Sequence, residues 1–141
     1  MRRYLLDTSL VAALLNNRTT AVSLTTPWMQ AHEVATSALV YAEVVEYIRP
    51  RSDFSPRQAA LRTLMREVHP YFLTYRILER YAALRLQMRV SPGGGLIGDV
   101  DTLIAATALE RDLTVVTTDN DFQRVPGLNV RLIARQELRR P

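Results

Sequence analysis

Acidic side chains beside or within apolar runs are the residues of this sequence whose type and spacing could do chemistry. In YLLDTSL (4–10), Asp7 ends a short apolar run and two hydroxyl residues follow it. Glu43 lies in the middle of LVYAEVVEY (39–47), where an unpaired charge is rarely buried. The six acids in such positions are Asp7, Glu43, Asp99, Asp101, Asp119 and Asp121.

Two of these acids have structural explanations that need no chemistry. Asp7 stands where an N-cap residue would stand, because it precedes a second apolar run with helical character. Glu43 could be an exposed glutamate on a polar stripe that also carries Glu46 and Arg49. Both alternatives stay open at the level of single motifs.

The other four acids also have local explanations. Asp99 follows Gly98 and is the better N-cap for a helix over 99–112, which places Asp101 in the first turn, where the helix dipole favours an anion. Asp119 or Asp121 could form an Asx turn in TTDNDF. Each local explanation accounts for one acid and none accounts for the set.

The elements that must position these acids alternate along the chain. Apolar runs predict strands over 3–6, 34–37, part of 70–75, 113–118 and 129–133. Helical patterns cover 10–15 (beginning after Asp7 or Thr8), 20–31 despite Pro27, 38–48 with Ser37 as cap, Ser55 to Glu67 with Pro56 at the first position, 76–89 and 99–112. A flexible loop is expected over 91–95; it lacks the lysine of a phosphate-binding loop.

Strands that are apolar throughout, alternating with helices, indicate a parallel sheet covered on both faces. The expected fold is therefore α/β, a small three-layer α/β/α sandwich on a mostly parallel sheet, with residues 1–141 forming a single domain. Asp7 and Asp119 each follow a strand, so both should lie at the carboxyl-end rim, where open α/β sheets bind ligands.

Carboxylates gathered at one rim repel one another unless a cation neutralises them. With no cysteine and two dispersed histidines, the available ligands are oxygens, which suit Mg²⁺, or Mn²⁺, rather than Zn²⁺.

The charge pattern separates acids from bases. All 18 basic residues are arginine, and the formal net charge is +4. Without the six acids named above, eight acids remain and the rest of the chain carries +10. An acidic metal-binding notch within a basic surface suits metal-dependent cleavage of a nucleic acid.

The composition favours a cytoplasmic protein. No apolar run is long enough to span a membrane, and Asp7 interrupts the run that a signal peptide would need. The absence of cysteine excludes disulfides and thiolate metal sites.

Four stretches together resemble the PIN-domain ribonucleases, and in particular the VapC toxins of bacterial VapBC toxin–antitoxin pairs. They are YLLDTSLVAALL, SALVYAEVV, IGDVDTLIAATAL and LTVVTTDNDFQRVPGL, in the family's order from residue 4 to about residue 128. The acid followed by LIAATA is the most specific of them. The resemblance implies the same sandwich fold, and the middle of the chain (50–95) matches poorly.

The resemblance implies roles for four acids. The family's first acid falls on Asp7, its helical glutamate on Glu43, its third acid on Asp101 and its fourth on Asp119. Asp7, Asp101 and Asp119 would hold Mg²⁺ or Mn²⁺, and Glu43 would act as a ligand or orient the attacking water.

Further positions correspond to supporting residues of the family. Asp99 matches an extra acid that could reach the metal directly or through water. Thr8, Ser9 and Thr117 match hydroxyl positions that orient the first acid or a water. Asp121 matches no core position and is expected to be a turn residue.

The resemblance implies an endoribonuclease toxin that cleaves RNA phosphodiesters with metal-activated water, inhibited by a cognate VapB-like antitoxin and assembled as a homodimer. The alternative is a catalytically idle PIN-like module that binds RNA or protein. Two other classes with acids at strand ends are disfavoured: a phosphoacceptor receiver needs a lysine, and a haloacid-dehalogenase phosphatase needs an aspartate where Ser9 stands.

Overall fold

The central sheet follows from the apolar strands that the sequence predicts. The computed structural model describes residues 1–92 and 94–141. Five strands lie in the order β3-β2-β1-β4-β5, and each neighbouring pair is parallel. The strands are β1 (Tyr4–Leu6), β2 (Val34–Ser37), β3 (Pro70–Tyr71), β4 (Thr114–Thr117) and β5 (Val130–Leu132).

Helices flank the sheet and give the expected α/β/α arrangement. Within the described residues they are α1 (Thr8–Leu15), α2 (Thr19–Gln30), α3 (Ala38–Ile48), α4 (Phe54–Glu67), α5 (Tyr75–Val90), α6 (Asp99–Arg111) and α7 (Arg135–Leu138). A 3-10 helix (Asn120–Arg124) follows β4. Helix α1 packs on α2, α3 and α4, while α5 packs on α6.

The core explains why both faces of the sheet must be covered. Consecutive strand residues are fully buried, as at Leu5 and Leu6 in β1 and at Val115 and Val116 in β4. Because successive side chains of a strand point to opposite faces, burial of both requires helices on each face. Leu6 pairs with Val116, which aligns the carboxyl ends of β1 and β4.

Several predicted boundaries need correction. Helix α4 begins at Phe54, so Ser55 is not its cap; Asp53 precedes the helix and makes no side-chain cap because its carboxylate binds Arg51. The prediction that Asp99 caps α6 is wrong, since Gly98 occupies that position without a side-chain hydrogen bond. Helix α2 continues through Pro27.

Other predictions fit closely or fall partly outside the described residues. Ser37 caps α3 as predicted, accepting a hydrogen bond from the Leu39 backbone N–H. The loop predicted at 91–95 includes Gly93, which lies outside the described residues. Helix α7 and the 3-10 helix have no counterpart in the sequence prediction. No helix in the described ranges combines the length and apolarity that crossing a membrane requires.

Leu6→Ala should destabilise the protein by about 2–5 kcal/mol, because Leu6 is fully buried beside the rim and alanine would leave a cavity. Leu86→Ala is the matched control, since Leu86 is 63% exposed. Urea unfolding of both variants measures the difference. Equal free energies of unfolding would contradict the core described above.

Candidate active site

Asp7 occupies the carboxyl end of β1 and begins α1 at the same time. Its backbone N–H donates to the Val116 carbonyl at 3.0 Å, which continues the pairing of β1 with β4. One carboxylate oxygen accepts from the Thr8 backbone N–H at 2.7 Å, as an N-cap would. The other accepts from the Thr117 hydroxyl at 2.7 Å. Asp7 is therefore a cap and a rim carboxylate, held in one orientation from both sides.

Glu43 faces this rim from α3. The Thr8 hydroxyl donates to its Oε1 at 2.5 Å, joining residues 35 positions apart. Glu43 is half-buried, so the alternative of an exposed glutamate on a polar stripe is wrong. Thr8 thus supports two acids, Asp7 through its backbone and Glu43 through its hydroxyl.

Asp101 and Asp119 enter the rim from α6 and from the end of β4. Asp101 is the third residue of α6, in the first turn as predicted, and is partly buried. Asp119 donates its backbone N–H to the Thr117 hydroxyl at 3.0 Å and accepts from the Asp121 backbone N–H at 2.9 Å. The Asx-type turn predicted for this segment is present, and it carries Asp119 into the cluster.

A cavity of about 260 Å³ brings together the four acids to which the resemblance assigns family roles. Its lining consists of Asp7, Thr8, Ser9, Glu43, Asp101, Thr118, Asp119 and Arg135. We call this cavity the acidic notch. It brings together acids from β1, α3, α6 and the end of β4, spread over more than a hundred residues of sequence.

Asp121 belongs to the same cluster, although the sequence suggested only a turn residue. Single carboxylate oxygens of Asp101, Asp119 and Asp121 lie within 4.8 Å of one another. The DND spacing is the signal that could have identified Asp121, because the Asx turn brings the second aspartate back beside the first. Arg124 lies 3.6 Å from the Asp121 carboxylate and balances part of its charge.

The structure does not place Asp99 in the notch. Its carboxylate pairs with Arg85 of α5 and accepts a hydrogen bond from the Tyr81 hydroxyl at 3.3 Å. Asp99 is also not among the charged neighbours that raise the pKa of Asp101. Helix α5 therefore supplies both partners of Asp99, and they bind the same carboxylate oxygen.

The pKa of Asp101 is raised by its surroundings in the notch. Burial raises it first, and the negative charges of neighbouring acids raise it further, to about 7. These neighbours are Asp7, Asp119, Glu43 and Asp121. Such a carboxyl is half protonated near neutral pH unless a cation displaces the proton.

The pKa of Asp7 is also raised. Burial is the main cause, and the charges of Glu43 and Asp119 add to it, against the hydrogen bonds from Thr117 and Thr8 that lower it. A raised pKa in a notch lined by further carboxylates is typical of a functional site.

The donor set fits a hard divalent cation. Every titratable ligand in the notch is a carboxylate, and Mg²⁺ binds through carboxylate oxygens while keeping several waters. The buried hydroxyl oxygen of Ser9, which also lines the notch, has no hydrogen-bond partner among the described residues. A water of a bound ion or a phosphate oxygen would satisfy it.

Sequence reasoning missed two residues that line the notch, Thr118 and Arg135, and Arg135 is the charged one. It begins α7, a helix of four residues whose pattern is too short to predict. No motif marks it, because it is one of 18 arginines. Its position depends on how α7 returns to the rim.

Comparison with known proteins identifies a family and a set of similar folds. The family model described as PIN domain matches residues 4–128. A comparison with curated proteins finds no match.

Three crystal structures illustrate the similarity of fold. A chain of VapBC2 from Rickettsia felis, bound to a promoter DNA fragment, has a TM-score of 0.80 at 22% identity, covering 92% of this chain and 98% of that one. DNA-bound VapBC from Salmonella typhimurium gives 0.79 at 19% identity, covering 93% and 98%. VapBC-1 from nontypeable Haemophilus influenzae gives 0.78 at 22%, covering 92% and 96%.

Asp101→Asn should stabilise the metal-free protein at pH 8. The folded pKa of Asp101, about 7, exceeds its ordinary value of 3.8, so the folded state retains a proton that the unfolded state loses. The free energy of unfolding should therefore fall as pH rises from about 4 to 7. Removing the charge should recover about 1–2 kcal/mol at pH 8, after allowance for solvent screening.

Asp99→Asn is the matched control, two residues away on α6 and paired with Arg85. Thermal unfolding in EDTA at pH 4 and pH 8 measures both variants. The electrostatic account is contradicted if Asp101→Asn is no more stable than the unmodified protein at pH 8.

Proposed function

We propose that this chain, which belongs to the PIN domain family, is a Mg²⁺-dependent endoribonuclease and the toxin of a type II toxin–antitoxin pair. The single observation that carries the proposal is the acidic notch. Asp7, Glu43, Asp101 and Asp119 line one cavity, where burial and mutual repulsion raise the pKa values of Asp7 and Asp101. Such an arrangement is stabilised by a cation and has no evident purpose in packing.

In this proposal Asp7, Asp101 and Asp119 hold Mg²⁺, or Mn²⁺ in its place, with Asp121 beside them. When bound, the ion supplies a water of lowered pKa and a positive charge next to the reacting phosphate. Asp99 lies outside the notch and one of its carboxylate oxygens binds Arg85 and Tyr81, so we assign it no direct contact with the ion.

The surrounding residues orient the reaction. Glu43, fixed by the Thr8 hydroxyl, orients the attacking water and accepts a proton from it. Thr117 and the Thr8 N–H keep the Asp7 carboxylate aimed at the notch. The free Ser9 hydroxyl oxygen is placed to bind a water or a phosphate oxygen.

RNA is the proposed substrate because the surface outside the notch is rich in arginine. Guanidinium groups bind phosphates through two parallel hydrogen bonds, and this chain has 18 arginines and no lysine. Since water is the nucleophile, the RNA 2′-hydroxyl is not required. The products should end in 5′-phosphate and 3′-hydroxyl.

Two partners complete the proposal. The similar structures are VapBC complexes, which supports a cognate VapB-like antitoxin for this chain. A homodimer is the second partner that we propose, as the family resemblance implies.

Asp7→Asn and Asp101→Asn should each reduce RNA cleavage by roughly 10²–10³-fold, the loss that follows removal of one group that stabilises transition-state charge. Brief expression of each variant, followed by sequencing of RNA fragments that carry 5′-phosphate ends, measures cleavage in cells. The purified protein should cleave those RNAs with Mg²⁺ or Mn²⁺ and not with EDTA.

Glu67→Gln is the charge-matched control, because Glu67 is exposed on α4 and does not line the notch. It should cleave as the unmodified protein does. Fragments ending in 2′,3′-cyclic phosphate would contradict hydrolysis by water. Full activity of both notch variants would mean that the catalytic site lies elsewhere, and no cleavage by the unmodified protein would support the idle module.

The toxin assignment predicts that the small gene beside this one encodes an inhibitor. Coexpression of that gene should suppress cleavage and give a complex containing two copies of the 16.0 kDa chain. Light scattering on the purified complex measures its mass. A housekeeping nuclease is indicated instead if coexpression leaves both cleavage and mass unchanged.

A further inference from the structure

A second, larger cavity opens from the acidic notch. Its volume is about 630 Å³, and it lies between α1, α3 and α7. It shares four lining residues with the notch: Thr8, Ser9, Thr118 and Arg135. We call it the arginine groove. A ligand in this groove would be continuous with one in the notch.

The charges of the two cavities are opposite. Arg18, Arg135 and Arg139 line the arginine groove, and none of its lining residues is acidic. Within residues 1–92 and 94–141, neither Arg135 nor Arg139 forms a salt bridge with a carboxylate. The notch, with four carboxylates, therefore favours a cation. The adjoining groove, with three guanidinium groups that lack acidic partners among the described residues, favours a polyanion.

Packing and hydrogen bonds fix helix α7, which forms one wall of the arginine groove. Leu138 anchors α7 in the core and is only 6% exposed. The Arg18 guanidinium donates to the Arg139 carbonyl at 3.3 Å, and the Thr19 hydroxyl donates to the Pro141 carbonyl at 2.6 Å. These contacts hold Arg135 and Arg139 along the side of α1 and α2.

An aromatic side chain forms part of the opposite wall. Tyr47 lines the groove from α3 and is 59% exposed, so much of its ring is accessible to a ligand. It stands four residues after Glu43, so the two side chains share one face of the helix. An exposed ring beside phosphate-binding arginines is the combination that binds single-stranded nucleic acid.

We propose that the arginine groove binds the single-stranded RNA segment that adjoins the scissile phosphate. The proposal rests on the ribonuclease function above and identifies where its substrate lies. Arg135, common to both cavities, binds the phosphate next to the cleaved one. Arg18 and Arg139 bind phosphates farther along, and Tyr47 stacks on an unpaired base. A duplex would bury its bases and leave the Tyr47 ring without a partner.

Binding of labelled RNA in EDTA tests this proposal without cleavage. The probe is a fluorescein-labelled single-stranded RNA of mixed sequence, about 12 nucleotides long, within the usual range of single-strand sites. Fluorescence polarisation gives its affinity between about 50 and 200 mM salt. The variants are Arg135→Ala and Tyr47→Ala, with Arg89→Ala and Tyr75→Ala as controls at exposed positions outside the groove.

Arg135→Ala should weaken binding and reduce the slope of log affinity against log salt by about 0.7, the value for one lost single-strand phosphate contact. Tyr47→Ala should weaken binding about 5- to 100-fold with the salt slope unchanged, and Tyr47→Phe should restore it. The controls should match the unmodified protein.

The proposal is overturned if the groove variants match their controls in both affinity and salt slope. It is also overturned if they weaken binding of a labelled octaglutamate peptide alone, which would assign the groove to a protein partner. Cleavage with Mg²⁺, measured in parallel on the unmodified protein, reports on the ribonuclease function separately. Absence of cleavage would count against that function and leave the binding result to decide the groove.

Discussion

Repulsion among carboxylates at one end of a parallel sheet is the constraint on which the rest of this structure depends. Asp7, Glu43, Asp101 and Asp119 line a cavity of about 260 Å³, where burial first and the neighbouring negative charges second raise the pKa of Asp101 to about 7. Backbone or hydroxyl donors fix the carboxylates of Asp7, Glu43 and Asp119 in this arrangement. A divalent cation bound between these carboxylates would neutralise their mutual repulsion, so the clustered charges favour its binding.

The arginines are the counterpart of this arrangement. Arg85 removes Asp99 from the notch, and Arg124 balances part of the charge on Asp121. Arg135 reaches the notch rim without pairing to an acid of the described chain, so its charge remains available to a polyanion. Acids that hold a cation and arginines that face a phosphate chain are both needed if the protein hydrolyses RNA.

The sequence alone predicts the acids of the site that lie at the ends of strands. Apolar runs locate β1 and β4, and the geometry of parallel sheets then brings Asp7 and Asp119 together. The partner of Asp99 could not be predicted, since it depends on how α5 packs against α6. Arg135 escaped prediction because a helix of four residues has almost no periodic pattern. Metal identity and the roles of these residues stay predictions.

Calorimetric titration of the metal-free protein with Mn²⁺ tests the central claim, that the clustered carboxylates form a cation site, most directly. At pH 7, in buffers of different ionisation enthalpy, binding should release about half a proton, because Asp101 with a pKa of about 7 must lose its proton to become a ligand. Asp101→Asn should bind more weakly and release almost none. Binding that is absent, or that is unaffected by Asp101→Asn, would contradict the account.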